Sequence, residues 1–198
     1  MAKKAESTLL NMVLVLTIIA VVSAAALAMI NNVTEGPIKD AKQAKTEAAI
    51  KQVLPKFASL KSTKVLIEGD KDSTNCNLAY DAQNNLVGIA VEGSTEEGFS
   101  GHIGIMVGFD AEGNITGYNV LETQETPGLG SKAGEWFQKD GKGNVIGKNP
   151  GTNNITVSKD GGEVDAITAA TISSRAFCNA IARSYQAFQL AKGGSNNE

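Results

Sequence analysis

LVGIAVEG (86–93), HIGIMVGFD (102–110) and NITGYNVLE (114–122) follow one another with only short breaks. Each run is rich in β-branched and apolar residues, the composition of strands. DAEGN (110–114) joins the second run to the third, and DAQNN (81–85) leads into the first from an earlier run, CNLAYD (76–81). Both connectors are polar and carry Asn or Gly, as hairpin turns do. A further run, KVLIE (64–68), precedes them. Strands joined by hairpin-length turns pair antiparallel, so the middle of the chain reads as an antiparallel meander.

Helical patterns flank this meander. Ile172, Ala176, Phe177, Ala180, Ile181, Tyr185 and Phe188 recur at helical spacing between Ile172 and Ala191. The plain reading of Phe177, Ile181 and Phe188 is core packing. Thr171, Ser173 and Ser174 are cap candidates at the start of that helix, and Gly193-Gly194 is a stop signal at its end. Between meander and helix, ETPGLGSKAGEWFQ (125–138) predicts a Gly-rich loop running into a short helix around Ala133–Phe137. Ile155–Ser158 predicts one more strand, with KDGGE (159–163) as a turn. Upstream, PIKDAKQAKTEAAIKQVL (37–54) is rich in Ala, Lys, Gln and Glu and predicts a helix ended by Pro55. Its Ile38, Ala41, Ala48, Ala49 and Val53 form a weak apolar stripe. Helix, meander, loop, strand, helix is the order of an α+β domain, without the alternation of a Rossmann unit.

Leu9 to Ile30 reads LLNMVLVLTIIAVVSAAALAMI, without a charged residue. An α-helix needs about 20 such residues to cross the hydrocarbon core. Asn11, Thr17 and Ser23 are tolerable there through hydrogen bonds along the helix. The rival reading is a cleaved signal peptide, with Lys3 and Lys4 as its basic start. The apolar run exceeds the usual core of roughly 7–15 residues, which favours an uncleaved anchor. Lys3 and Lys4 favour a cytoplasmic N-terminus, yet Lys39, Lys42 and Lys45 follow the span. Long domains cross largely regardless of charge, so the soluble domain is expected on the extracytoplasmic side. The expected organisation is a cytoplasmic N-terminus (1–8), a transmembrane helix (9–30), a helical connector (31–60), a domain (61–192) and a flexible tail (193–198).

Composition narrows the function classes. The chain has 198 residues, 20% charged, and a net charge of −3. That balance argues against a nucleic-acid partner, which usually leaves a basic patch. The only cysteines, Cys76 and Cys178, exclude a Cys₄ iron–sulfur or zinc site within the chain. They could pair or stand as two buried thiols. His102, the sole histidine, reads as a structural residue.

The chemistry sits in DAITAATISS (165–174), hydroxyl side chains spaced by small residues at the start of a long helix. Such a start offers unpaired N–H groups and the positive end of the helix dipole, which suit a phosphate. Ala169 and Ala170 leave room for an anion near the backbone, and Arg175 could add a charge-assisted contact. From the residues alone, a plain helix cap remains the commoner reading.

DAITAATISS resembles the flavinylation motif Asp-x-x-[Ser/Thr]-Gly-Ala-[Ser/Thr]-x-[Ser/Thr] of the FMN-binding domain family. That family includes the G subunit of the Rnf electron-transport complex and the C subunit of the sodium-pumping NADH:quinone reductase. Asp165 matches the motif Asp, Thr168 its first hydroxyl, Ala170 its Ala, and Thr171 the acceptor, with Ser173 and Ser174 following. The resemblance implies a phosphoester between Thr171 Oγ and FMN. Ala169 stands where the family usually has Gly: if that Gly serves a positive φ, Ala strains the loop; if it serves close approach, Ala suffices. ETPGLG (125–130) resembles a second motif of the same family. There Pro127-Gly128 favours a type II turn, Gly128 and Gly130 free the backbone, and Leu129 would cover a flavin face. Glu125 or Thr126 would bond the ring or orient the loop. GFSGHIGIMVGFDAEGNITGYNVLE (98–122) resembles the family's Gly-rich entry into the meander.

The fold implied is α+β: one transmembrane helix followed by an FMN-binding domain with an antiparallel sheet and flanking helices. The implied role is electron transfer with covalent FMN in a membrane-bound, ion-translocating Rnf-type complex. Its partners would be the other subunits and a flavin transferase of the ApbE type. The C subunit of the quinone reductase, a stand-alone anchored flavoprotein and a non-redox binding module are the alternatives.

Overall fold

Residues 8–70 and 72–195 are described by a computed structural model, which divides the chain into two units, Met1–Ala44 and Lys45–Glu198. The expected cytoplasmic N-terminus, with Lys3 and Lys4, lies outside the described residues, as do residues 196–198 of the expected tail.

The described part of the first unit belongs to α1, a single helix from Leu9 to Val53. Pro37 lies inside it, and residues 31–53 of the expected connector continue the helix of the expected span. A proline there removes one backbone hydrogen bond, and the Ala/Lys/Gln/Glu run that follows sustains the helix beyond it. Leu9 to Ile30 has its large apolar side chains exposed, and the helix is long and apolar enough to cross a membrane. Its hydroxyls turn inward: Thr17 Oγ1 donates to Val13 O at 2.8 Å and Thr34 Oγ1 to Ile30 O at 2.9 Å.

The second unit is built on the meander. Strands β1 (Ser59–Val65), β2 (Thr74–Tyr80), β3 (Leu86–Gly98), β4 (Gly101–Asp110) and β5 (Ile115–Thr123) pair antiparallel in chain order. The first begins five residues before the expected KVLIE, because pairing with β2 reaches Ser59 opposite Tyr80. Asp81 and Asp110 close the two hairpins alike: each carboxylate accepts two backbone N–H groups and bonds the Asn four residues on.

Alternation along the strands sends side chains to two covered faces. Ile89 and Val91 of β3 and Ile103, Ile105, Val107 and Phe109 of β4 enter the larger core with α3 (Thr171–Ser195). Ala79, Ala90, Met106 and Leu121 face the other way, against Ala49, Ile50 and Val53 at the end of α1. That second face is lined with small residues, which lets the helix end lie close. A Cβ at Gly108 would sit 2.1 Å from Val53 O.

Phe177 of α3 stacks on Phe137 at 4.2 Å and meets Tyr118 edge-on at 4.9 Å. This aromatic group fixes α2 (Ala133–Trp136), close to its expected place, beneath α3. Two expectations differ. Ile155–Ser158 is no strand: only the bridge between Val157 and Val164 forms, because the chain turns into a 3₁₀ turn at Ser158–Asp160. The C-terminal helix also runs through Gly193-Gly194 to Ser195. Cys76 and Cys178 are buried free thiols, and burial pushes their pKa values up to about 12.

Candidate functional site

α3 begins at Thr171 because the chain arrives there in a tight turn. Ala170 N–H donates to Ile167 O at 3.0 Å, with Ala169 at φ +62° in the third position. Ser174, fully buried, locks that turn: its hydroxyl donates to Ala170 O and accepts from Ile167 N–H, both at 2.9 Å. The ETPGLG segment makes a matching turn, with Leu129 N–H donating to Thr126 O at 3.1 Å and Gly128 at φ +79°. That positive φ is the value a type II turn needs, as Pro127-Gly128 predicted. Gly128 N–H donates to Ser131 Oγ at 2.9 Å, and the 3₁₀ turn Gly130–Lys132 leads into α2.

Between the two turns lies a cavity of about 320 Å³. It is lined by Glu125, Thr126, Leu129, Gly130, Ala169, Ala170, Thr171 and Ser173, all singled out in the sequence, together with Phe99 and Ile172. Asp165, Thr168, Gly128 and Ser174 do not line it. Gly128 and Ser174 shape its two turns. Asp165 contributes its carbonyl, which accepts from Trp136 Nε1 at 2.8 Å. Thr168 is exposed in the turn before Ala169.

The rim is apolar and open: Phe99 is 68% exposed, Ile172 49% and Leu129 40%. The Thr171 side is polar. Thr171 Oγ1 sits at the N-terminus of α3, 3.1 Å from Lys159 Nζ. Arg175 is not the cation at this hydroxyl. Its guanidinium makes a two-pronged contact with Asp160 at 2.6 and 2.7 Å, holding that carboxyl below its usual range. The Arg175–Asp160 pair ties the 3₁₀ turn to α3, and the neighbouring Lys159 is the cation at the Thr171 hydroxyl. Sequence reading missed Lys159 and Phe99. The one sits in a plain turn, KDGGE, and the other between glycines and a serine in GFSG. His102, in β4, has Nδ1 2.6 Å from Glu96 Oε1, in keeping with a structural role.

Both turns of the cavity fall within residues 98–186, which match the FMN-binding domain family. Over 190 residues the chain is 32% identical to the G subunit of the Na(+)-translocating ferredoxin:NAD(+) oxidoreductase complex of Acetobacterium woodii, covering 89% of each chain. It is 34% identical over 183 residues to the G subunit of the ion-translocating oxidoreductase complex of Aliivibrio fischeri, covering 86% of this chain and 85% of that one. The chain therefore belongs to the FMN-binding-domain family, among the G subunits of ion-translocating oxidoreductase complexes. The crystal structure of Shewanella oneidensis NqrC aligns with a TM-score of 0.48 at 18% identity, over 74% of this chain and 73% of that one.

The residues present fit an FMN. The exposed apolar trio offers surface to a flat ring, and the cavity has the size of a small-ligand site. The helix N-terminus and Lys159 suit a phosphate at Thr171.

Proposed function

We propose that this chain is an electron-carrying subunit of a membrane-bound, Rnf-type ferredoxin:NAD⁺ oxidoreductase complex, with FMN joined through its phosphate to Thr171 Oγ. The observation that carries the reading is the position of Thr171. Its hydroxyl opens α3 at the edge of the cavity, with the Lys159 ammonium 3.1 Å away. A phosphodiester at that oxygen would keep one negative charge, which the helix N-terminus and Lys159 both favour. Bound FMN supplies one- and two-electron transfer. The chain's own residues attach, cover and orient it: Thr171 as the tether, Phe99, Leu129 and Ile172 as apolar cover, and the two turns as frame.

The names of its relatives support a place among other subunits of such a complex. The apolar part of α1 supports a membrane anchor. We place the domain on the extracytoplasmic side, because a long domain crosses largely regardless of charge. A covalent link suits that side, where little free flavin replaces a lost one, and it calls for a flavin transferase during maturation.

The test is the intact mass of the full chain purified after co-expression with a flavin transferase, with peptide mapping. The expected result is one FMN-sized addition on the peptide that carries Thr171, absent in Thr171→Ala. Covalent flavin persisting in that variant would overturn the choice of acceptor. NADH:quinone activity in the purified complex, without coupling to ferredoxin, would overturn the assignment to an Rnf-type complex.

A further inference from the structure

Glu125 is only 6% exposed, and it lines the cavity. Burying a carboxylate is costly unless hydrogen bonds compensate, and here each oxygen is bonded by a different segment. Oε1 accepts from Ser100 N–H at 3.1 Å, in the turn between β3 and β4. Oε2 accepts from the Ser173 hydroxyl at 2.6 Å, in the first turn of α3, where Ser173 is itself 2% exposed. Backbone closes in on both oxygens. A Cβ at Gly98 would lie 2.6 Å from Oε1, and one at Gly130 would lie 2.4 Å from Oε2. Three segments distant in sequence are thus arranged around one side chain. Phe99 rides on the first, Leu129 on the second and Thr171 on the third.

We propose that Glu125 is a positioning residue, which holds the apolar ring-side groups Phe99 and Leu129 in register with the attachment point at Thr171. The proposal rests on the reading of Thr171 as the attachment point. Its contribution is separate from the tether: without Glu125, flavin would still be attached but held loosely. A tether alone leaves the ring free to turn, whereas a fixed ring needs both sides of the cavity fixed relative to each other.

The experiment uses the full chain, co-expressed with a flavin transferase and purified in detergent, as wild type, Glu125→Ala, Glu125→Gln, Ser173→Ala and the Glu125→Ala/Ser173→Ala double variant. Peptide mass reads attachment at Thr171. Visible-region circular dichroism and iodide quenching read how firmly the ring is held. Attachment is expected in every variant. Loss of the flavin's dichroism and easier quenching are expected in Glu125→Ala, with a weaker loss in Ser173→Ala and none beyond Glu125→Ala in the double variant. Glu125→Gln retains the signal, because an amide offers Ser100 an acceptor and Ser173 a donor. Wild-type dichroism in Glu125→Ala, or additive effects of the two alanine changes, overturns the proposal. If Glu125→Ala does not accumulate as folded protein, wild-type dichroism in Ser173→Ala overturns it instead. Wild-type chain without flavin on the Thr171 peptide is a different failure: it sinks the reading of Thr171, and this proposal with it.

Discussion

Two four-residue turns frame the cavity, Thr126–Leu129 and Ile167–Ala170, and they reach one backbone shape from different residues. In each, the fourth N–H donates to the first carbonyl, at 3.1 and 3.0 Å, and the third residue has a positive φ. In the first that residue is Gly128, at +79°; in the second it is Ala169, at +62°. An L-residue in the left-handed region brings its Cβ toward the following carbonyl, at a cost of roughly 1–2 kcal/mol. Glycine has no such penalty. In this chain the position of Ala169 has a positive φ, which a glycine would adopt without strain. Ala169 therefore carries strain two residues before the proposed attachment point, a kind of place where backbone strain tends to be stored.

The largest expected effect comes from filling space rather than from φ. Gly130 follows the first turn, and a Cβ there would lie 2.4 Å from Glu125 Oε2, 2.5 Å from Ser173 Oγ and 2.9 Å from Glu125 Cβ. Moving the two polar ends aside breaks the buried hydrogen bond between them, and Glu125 Cβ, fixed to the backbone, cannot swing away. Gly130→Ala is expected to destabilise the domain by about 2–3 kcal/mol, the range of overpacked cores. Unfolding followed through the fluorescence of Trp136, the only tryptophan, measures it. A loss as small as that of Gly128→Ala would mean that the two turns do not close on a shared buried group.

How much of this was legible beforehand differs along the chain for physical reasons. The meander was legible because its strands are short runs rich in β-branched and apolar residues, and its Asp-to-Asn connectors carry their own hydrogen bonds, a local signal. The Ile155–Ser158 segment has the same apolar look, yet it has no strand to pair with beyond one bridge, and pairing is not local. Pro37 and Gly193-Gly194 are breakers by propensity, but the continuing helix in each case overrides them. Within the site, DAITAAT and ETPGLG were legible as motifs, and seven of their residues line the cavity. Lys159 was not. It meets Thr171 while Arg175 is held by Asp160, and nothing in the spacing of those residues announces either pairing.

Gly128→Ala is the second test, and it isolates the backbone term. Nothing lies within 4 Å of the added Cβ, so only the positive φ resists it. The expected loss is about 1 kcal/mol, because the left-handed penalty is partly offset by a less flexible unfolded chain. The same Trp136 unfolding curve reads it. An unchanged or raised midpoint would show that the first turn gives way to a new residue, and that its resemblance to the second is superficial.

Ala169→Gly is the reverse experiment and carries the smallest effect. Removing the Cβ releases roughly 1–2 kcal/mol of left-handed strain, while the added freedom of glycine in the unfolded chain takes back about 0.4–1 kcal/mol. The net expectation is a gain of roughly 0–1.6 kcal/mol, centred a little below 1 and opposite in sign to Gly128→Ala. Opposite signs at matching positions are what equal backbone shapes with unequal residues require; a loss in both variants breaks the comparison. A second readout bears on the site rather than on stability. If the strained turn slows presentation of the Thr171 hydroxyl, the Gly variant takes up flavin faster from the same transferase, measured as the growth of the flavin-bearing mass over time. A gain in stability with no change in that rate would place the strain of Ala169 in the fold alone.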